Sequence, residues 1–106
     1  MSMNHGSVHW QVLENGHYRL SGALERDTVP AFWQQRREWM PQDAKVTIDL
    51  SDLSRVDSAG MVMLLHLQRE LSQAGRHLVL QGVPEQLLTL LRLSHVDTVL
   101  AACMEV

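Results

Sequence analysis

Four short stretches of the chain have the apolar and polar pattern of half-buried β-strands, at residues 8–13, 17–20, 45–50 and 77–81. The third is the most regular, because Val46, Ile48 and Leu50 alternate with polar neighbours. Asn15 and Gly16 separate the first two stretches, and an Asn-Gly pair in that place predicts a tight β-hairpin.

The longest predicted helix has one continuous apolar stripe at helical spacing, formed by Gly60, Leu64, Leu67, Leu71 and Ala74. Gly75 follows the stripe and is predicted to end this helix as a C-cap glycine.

An earlier helix is predicted between a cap at Asp27 or Thr28 and a stop at Pro41. Its apolar stripe consists of Val29, Phe32, Trp33 and Met40. Trp33 is therefore predicted to lie in the core, whereas Trp39 fits a core or an interface position equally well.

The remaining segments complete the predicted organisation. A helix begins at Pro84 and carries several leucines, and residues 97–106 are predicted to form a short final helix. Residues 51–55 are interpreted as a connection. Residues 1–7 are polar and aperiodic, so we expect a disordered segment followed by one folded domain over residues 8–106.

The predicted order is β-β-α-β-α-β-α with a last short helix. Strands that alternate with helices favour an α/β domain whose later strands are parallel. The 106 residues suffice for one domain, and an apolar content of 45% can fill its core.

Charge and cysteine usage exclude several classes of function. A net charge of -3 without a basic stripe argues against nucleic-acid binding. The chain has no apolar run of 18 residues, so insertion into a membrane is not expected. The single cysteine, Cys103, lies in an apolar tail and is interpreted as a packing residue of a protein in a reducing compartment.

The turn before the long helix is the most informative segment. A helix N-terminus exposes unpaired N–H groups, and Ser58 is predicted to cap them with its hydroxyl. Gly60 allows the backbone of another segment or a partner to approach closely. Such a helix end can bind a phosphate or a partner's polar group, but a plain cap and a packing glycine explain the same residues.

Residues 48–61, in which a strand is followed by Asp57, Ser58, Ala59 and Gly60 and then by an apolar helix, resemble the STAS family. Residues 20–24, 54–57, 64–67 and 80–83 are similar to one branch, the STAS subunit of the Mla ABC transporter of Gram-negative bacteria. The resemblance implies an α/β domain with a mixed sheet and helices packed mainly on one face. It also implies a cytoplasmic accessory subunit, bound at the inner membrane to the ATPase of a phospholipid-transport complex and only indirectly to the permease.

Position 59 separates this interpretation from its main alternative. In the anti-sigma-factor antagonists, which also belong to the STAS family, the serine that a kinase phosphorylates stands at this position. Ala59 has no hydroxyl, so the resemblance to the transporter branch is favoured over a signalling protein of that type. A third class, a small-molecule-binding domain, would need a polar pocket that the sequence does not display.

The chain is predicted to bind a partner and not to catalyse a reaction. It has no phosphate-binding loop, no nucleophile elbow and no histidine spacing typical of a metal site, so we expect neither a cofactor nor a metal. The predicted partner-binding residues lie at the start of the long helix: Asp57, Ser58, Ala59, Gly60, Met61, Val62 and Leu65. Met61, Val62 and Leu65 are included because they widen the apolar face beyond the buried stripe.

Overall fold

The computed structural model describes residues 3–5, 8–94 and 102–104. Within these residues six strands form one sheet in the order β1-β2-β3-β4-β6, and β5 pairs with β3 beside that path. The strands are β1 (Met3–His5), β2 (Val8–Val12), β3 (His17–Leu24), β4 (Lys45–Asp49), β5 (Leu53–Val56) and β6 (His77–Gln81).

The sheet is mixed, as predicted. β1, β2 and β3 are antiparallel neighbours, whereas β3 pairs in parallel with both β4 and β5 and β4 pairs in parallel with β6. The first half of β3 pairs with β4 and its second half with β5, across a register shift between Gly22 and Ala23. The predicted hairpin joins β2 to β3, and both Asn15 and Gly16 have positive φ there.

Two strands lie where none was predicted. β5 lies largely within the predicted connection. It was not predicted because its residues do not alternate between buried and exposed: Leu53 and Val56 are buried, and the two residues between them are exposed. Pairing with the end of β3 forms this strand, and a local pattern does not reveal such pairing. β1 lies inside the predicted disordered segment, where pairing with β2 satisfies the backbone groups on the side that faces β2.

The helices are α1 (Val29–Gln34), α2 (Arg36–Trp39), α3 (Ser58–Gln73) and α4 (Glu85–Ser94) within the described residues. α1 and α2 replace the single helix predicted before Pro41. The carbonyl oxygen of Phe32 accepts hydrogen bonds from the Gln35 N–H at 3.2 Å and from Trp39 Nε1 at 3.1 Å. These two donors take the place of the regular helical donor, and the helix is interrupted at Gln35, where φ is -95° and ψ is 15°.

α3 and α4 agree with the predicted long helix and the helix after Pro84. Leu64, Leu67 and Leu71 are buried as predicted, but Ala74 is exposed because it lies just beyond the last turn of α3. Gly75 follows with φ of 77°, the left-handed conformation that ends many helices.

One face of the sheet carries the core. In β2, Val8 and Trp10 are buried, whereas His9 and Gln11 on the other face are exposed. Trp39 is buried, which resolves the two readings of that residue, but Trp33 is only partly buried and the prediction of a core position was wrong.

Cys103 is buried against the core, as predicted for a packing residue, and its carbonyl accepts a 2.7 Å hydrogen bond from the Leu80 N–H. Most of the predicted final helix lies outside the described residues. The part that is described, residues 102–104, contains a turn and a parallel bridge between Met104 and Leu80.

Candidate functional site

Asp57, not Ser58, caps α3. Its Oδ1 accepts hydrogen bonds from the N–H groups of Ala59 at 2.9 Å and of Gly60 at 3.2 Å. Ser58 is the first residue of the helix and is exposed. The predicted capping role of Ser58 was therefore wrong: an extended backbone at Asp57 aims the carboxylate at the first turn, and the hydroxyl of the next residue stays at the surface.

Asp57 also connects α3 to the loop after β3. Its Oδ2 accepts from the Arg26 N–H at 3.1 Å, and its own N–H donates to the Leu24 carbonyl at 3.3 Å. One carboxylate thus satisfies backbone donors of two segments that are distant in sequence. The position of the helix start is fixed relative to the loop that leads into α1.

Gly60 is buried and allows close packing within the chain. A Cβ at this position would lie 2.3 Å from the Leu24 carbonyl oxygen and 2.9 Å from Val56 Cγ2. Gly60 was predicted to allow close approach of either another segment of the chain or a partner. In the structure it is the chain's own backbone, at Leu24, that approaches closely.

Met61 also belongs to the core, with an exposed fraction of 4%, and its sulfur lies 3.5 Å from the Ser94 hydroxyl on α4. Met61 was predicted to lie on a docking surface, but in the free protein α4 covers that side of α3. Leu65 follows Met61 by four residues, and this helical spacing places it on the same flank. It is partly buried against the core.

Ser58, Ala59 and Val62 are the predicted residues that reach the surface together. They line a groove of about 380 Å³ between α1 and α3, called here the α1–α3 groove. Val62 is 42% exposed. The groove is completed by residues that the sequence did not assign to a site: Val29, Trp33, Met63 and His66.

Trp33 is the largest side chain of the groove. Its ring centroid lies 6.2 Å from those of both Trp39 and His66, and the Arg36 guanidinium carbon lies 4.7 Å from it. Trp39 contacts the indole from the core side, His66 from the opposite wall of the groove and Arg36 at one end of the groove. Together these contacts restrict the position of the indole. Val29 and Trp33 are four residues apart on α1, and Val62 and His66 are four residues apart on α3. This spacing is a signal of two facing stripes, of which only Val62 was assigned to a site from the sequence.

The groove is suited to binding an apolar group and not to nucleophilic catalysis. Ser58 and His66 are eight residues apart on α3, about 12 Å along a helix axis, which is far beyond the distance for proton transfer. Among the residues described, no group of histidine, cysteine and acidic side chains could hold a metal ion. No helix in this part of the chain is both long and apolar enough to cross a membrane.

The perturbed titratable groups lie away from the groove. Burial raises the pKa of the Cys103 thiol, which disfavours the reactive thiolate. Burial, together with the hydrogen bond that Tyr18 donates to Asp43, raises the pKa of Tyr18 to about 12. Burial also acts to raise the pKa of Asp49, but hydrogen bonds from Ser51 and Arg19 outweigh it and lower that pKa. These shifts accompany structural contacts and do not indicate a catalytic centre.

Residues 11–102 match a protein family described as "Mlab, STAS domain". The intermembrane phospholipid transport system binding protein MlaB of Escherichia coli is 39% identical over 74 residues, which are 70% of this chain and 74% of that protein. The MlaB protein of Haemophilus influenzae is 37% identical over 75 residues, covering 67% of this chain and 71% of that protein.

Solved structures show the same fold at low sequence identity. A sulfate transporter family protein from Wolinella succinogenes gives a TM-score of 0.64 at 18% identity, covering 89% of this chain and 80% of that one. The unphosphorylated anti-sigma factor antagonist SpoIIAA gives 0.61 at 15% identity, covering 88% of this chain and 97% of that one. At these identities the likeness concerns the fold alone.

Proposed function

The chain belongs to the STAS-domain family described as "Mlab, STAS domain", and from this membership we propose that it is a non-catalytic accessory subunit of an intermembrane phospholipid transport system. It binds the ATPase of the ABC transporter, contacts the permease only through that ATPase, and regulates or stabilises it. The subunit lies on the cytoplasmic side of the inner membrane, and the complex maintains the lipid asymmetry of a Gram-negative outer membrane.

The α1–α3 groove is the structural observation that supports docking onto a partner protein. A surface recess with apolar walls is suited to a partner's side chain, because the contact removes apolar area of both proteins from water. Val62 and Trp33 would supply most of this area from the two sides of the groove. Ser58 and Ala59 are small, so a partner can approach the start of α3 closely.

The members of the predicted site that do not line the groove have a supporting role. Asp57 and Gly60 fix the first turn of α3 against the loop after β3. Met61 and Leu65 hold the same helix against the rest of the core. The partner-binding surface is therefore narrower than predicted and is displaced toward α1, where Trp33 and His66 join Val62.

The proposal is tested by titrating the purified ATPase subunit of the same organism against wild type and Val62→Asp. Val62 is exposed, so the aspartate should leave the melting temperature nearly unchanged. In the complex the aspartate would be an unpaired buried charge, and binding should weaken by about 30-fold or more.

Leu93→Asp is the matched control, because Leu93 is 73% exposed on α4 and receives the same change of an apolar side chain to a charge. It should bind the ATPase as wild type does. Failure of the wild-type protein to bind the ATPase would overturn the proposed function. Equal binding by Val62→Asp would place the docking site elsewhere.

The signalling alternative, an anti-sigma-factor antagonist, has weaker support. The fold is shared with SpoIIAA, but the helix start of this chain presents Ala59 where a phosphorylated serine would be required. Recovery of an anti-sigma kinase in place of the ATPase, when the tagged protein is purified from its own cells, would favour the alternative.

A further inference from the structure

A second recess continues the α1–α3 groove along α3. This recess has a volume of about 670 Å³ and lies between α2 and the C-terminal half of α3. It is lined by Arg36, Arg37, Met40, Gln42, Glu70, Gln73 and Ala74. On α3, Val62 and His66 of the groove are followed at helical spacing by Glu70 and Gln73 of the recess, so both lie along one side of the helix.

Arg36 stands where the two recesses meet. Its guanidinium carbon lies 4.7 Å from the centroid of the Trp33 ring in the groove, and its Nε lies 3.0 Å from Glu70 Oε2 in the second recess. The two recesses therefore lie end to end along α3 with Arg36 between them, and together they are called here the α3 trough.

The two ends of the α3 trough differ in chemistry. The end near Ser58 is apolar, whereas the other end is cationic. Glu70 offsets the charge of Arg36, but exposed Arg37 forms no ion pair with any residue that the structure describes. Arg76 adds another guanidinium at the margin, where its Nη2 donates to Gln42 Oε1 at 3.0 Å. The unbalanced charge at this end is positive.

We infer that the α3 trough binds an amphipathic helix of the partner ATPase, with apolar side chains at the Val62 end and carboxylates at the Arg37 end. This inference rests on the proposed function and specifies which kind of segment the ATPase contributes. Val62 and Gln73 are eleven residues apart, about 16 Å along α3. A partner helix lying beside α3 would thus place its acidic residues about three turns from its apolar anchors.

A helix fits the trough better than an extended segment for a physical reason. Anchors at helical spacing present one apolar side to a groove while the backbone hydrogen bonds remain satisfied. In the described residues the trough offers helices on both walls and no strand edge for an extended chain to pair with. Charge complementarity at the cationic end would fix the direction of the bound helix.

The charge is tested by measuring the dissociation constant of the purified ATPase subunit for wild type, Arg37→Glu and Arg92→Glu at low and high salt. Arg92→Glu makes the same change of net charge on α4, outside the trough. Arg37→Glu should bind about tenfold more weakly than wild type at low salt, and the difference should shrink as salt rises. Arg92→Glu should bind as wild type does at each salt concentration.

The position of the partner segment is tested by placing a photoreactive residue at position 62 or at position 73 and identifying the cross-linked ATPase peptides. Both positions should cross-link to one predicted helix, with acidic residues near the cross-link from position 73. Cross-links from the two positions to separate ATPase segments would overturn the inference, and so would equal affinity of Arg37→Glu and wild type for the ATPase. In either case, binding of the ATPase by the wild-type protein would still support the proposed function. A wild-type protein that does not bind the ATPase would overturn both.

Discussion

Replacing Gly60 with alanine should destabilise the protein, although alanine is the better helix former. The added Cβ would lie 2.3 Å from the Leu24 carbonyl oxygen, which belongs to the backbone of β3. It would also lie 2.9 Å from Val56 Cγ2. A side chain could rotate away from the new methyl group, but a strand carbonyl cannot, so the start of α3 must move outward.

The magnitude follows from three contributions. Alanine in a helix gains about 1 kcal/mol over glycine. Overpacking a tight contact costs about 1–3 kcal/mol. The outward movement also strains the hydrogen bond from the Asp57 N–H to the same Leu24 oxygen, which is worth about 1 kcal/mol. The net expected loss is about 1–3 kcal/mol in the free energy of unfolding.

Urea denaturation followed by circular dichroism measures this loss, and the melting temperature should fall by at least about 4 °C. Ser72→Ala is a suitable control, because Ser72 is exposed near the other end of α3 and gains helix propensity without a clash. It should be as stable as wild type or slightly more stable. A Gly60→Ala protein as stable as that control would refute the packing of α3 against Leu24.

Further predictions concern a titration and two substitutions in α3. Tyr18 is the chain's one tyrosine, so the ultraviolet absorbance of tyrosine reports its titration alone. The midpoint should lie near pH 12 in wild type and should be lower in Asp43→Ala. A wild-type midpoint near pH 10 would contradict the raised pKa. Because the folded pKa is the higher one, this group's contribution to stability is complete below about pH 10. It should be lost as pH rises through about 12. Ser58→Asp should keep the melting temperature, since an acidic residue suits a helix start, yet lose ATPase capture. Leu64→Ala should lose about 2–5 kcal/mol of unfolding free energy in denaturation experiments; unchanged capture by Ser58→Asp, or unchanged stability of Leu64→Ala, would contradict these roles.

The elements that could be predicted from the sequence are those whose signal is local. The Asn15-Gly16 turn sets its own conformation, and the leucine stripe of α3 repeats over about two turns. β5 depends on contacts with residues distant in sequence, and the break at Gln35 depends on the burial of a nearby side chain. β5 forms through pairing with β3, and the break depends on a hydrogen bond from Trp39 that forms only when its indole is buried.

The candidate site shows the same division. The sequence pointed to the start of α3, because an Asp-Ser-x-Gly turn before an apolar helix is a local pattern. It could not separate Met61 from Val62, since both are apolar neighbours and only the position of α4 buries the first. The contribution of Trp33 was missed because its stripe on α1 is compatible with either burial or a groove wall.

The residues that line the groove and those that fix the start of α3 have separate tasks that depend on each other. Asp57 and Gly60 do not line the groove, but they tie the first turn of α3 to the loop after β3. That loop leads directly into α1, so the same contacts set the distance between Val62 on α3 and Trp33 on α1. If the width of the groove is fixed in the free protein, few of its side chains and loops have to become ordered when a partner binds. The loss of conformational entropy on binding is then smaller than it would be for a flexible groove. Substitutions at Asp57 or Gly60 should therefore weaken binding by changing the shape of the groove, whereas those at Val62 should do so by changing the contact itself.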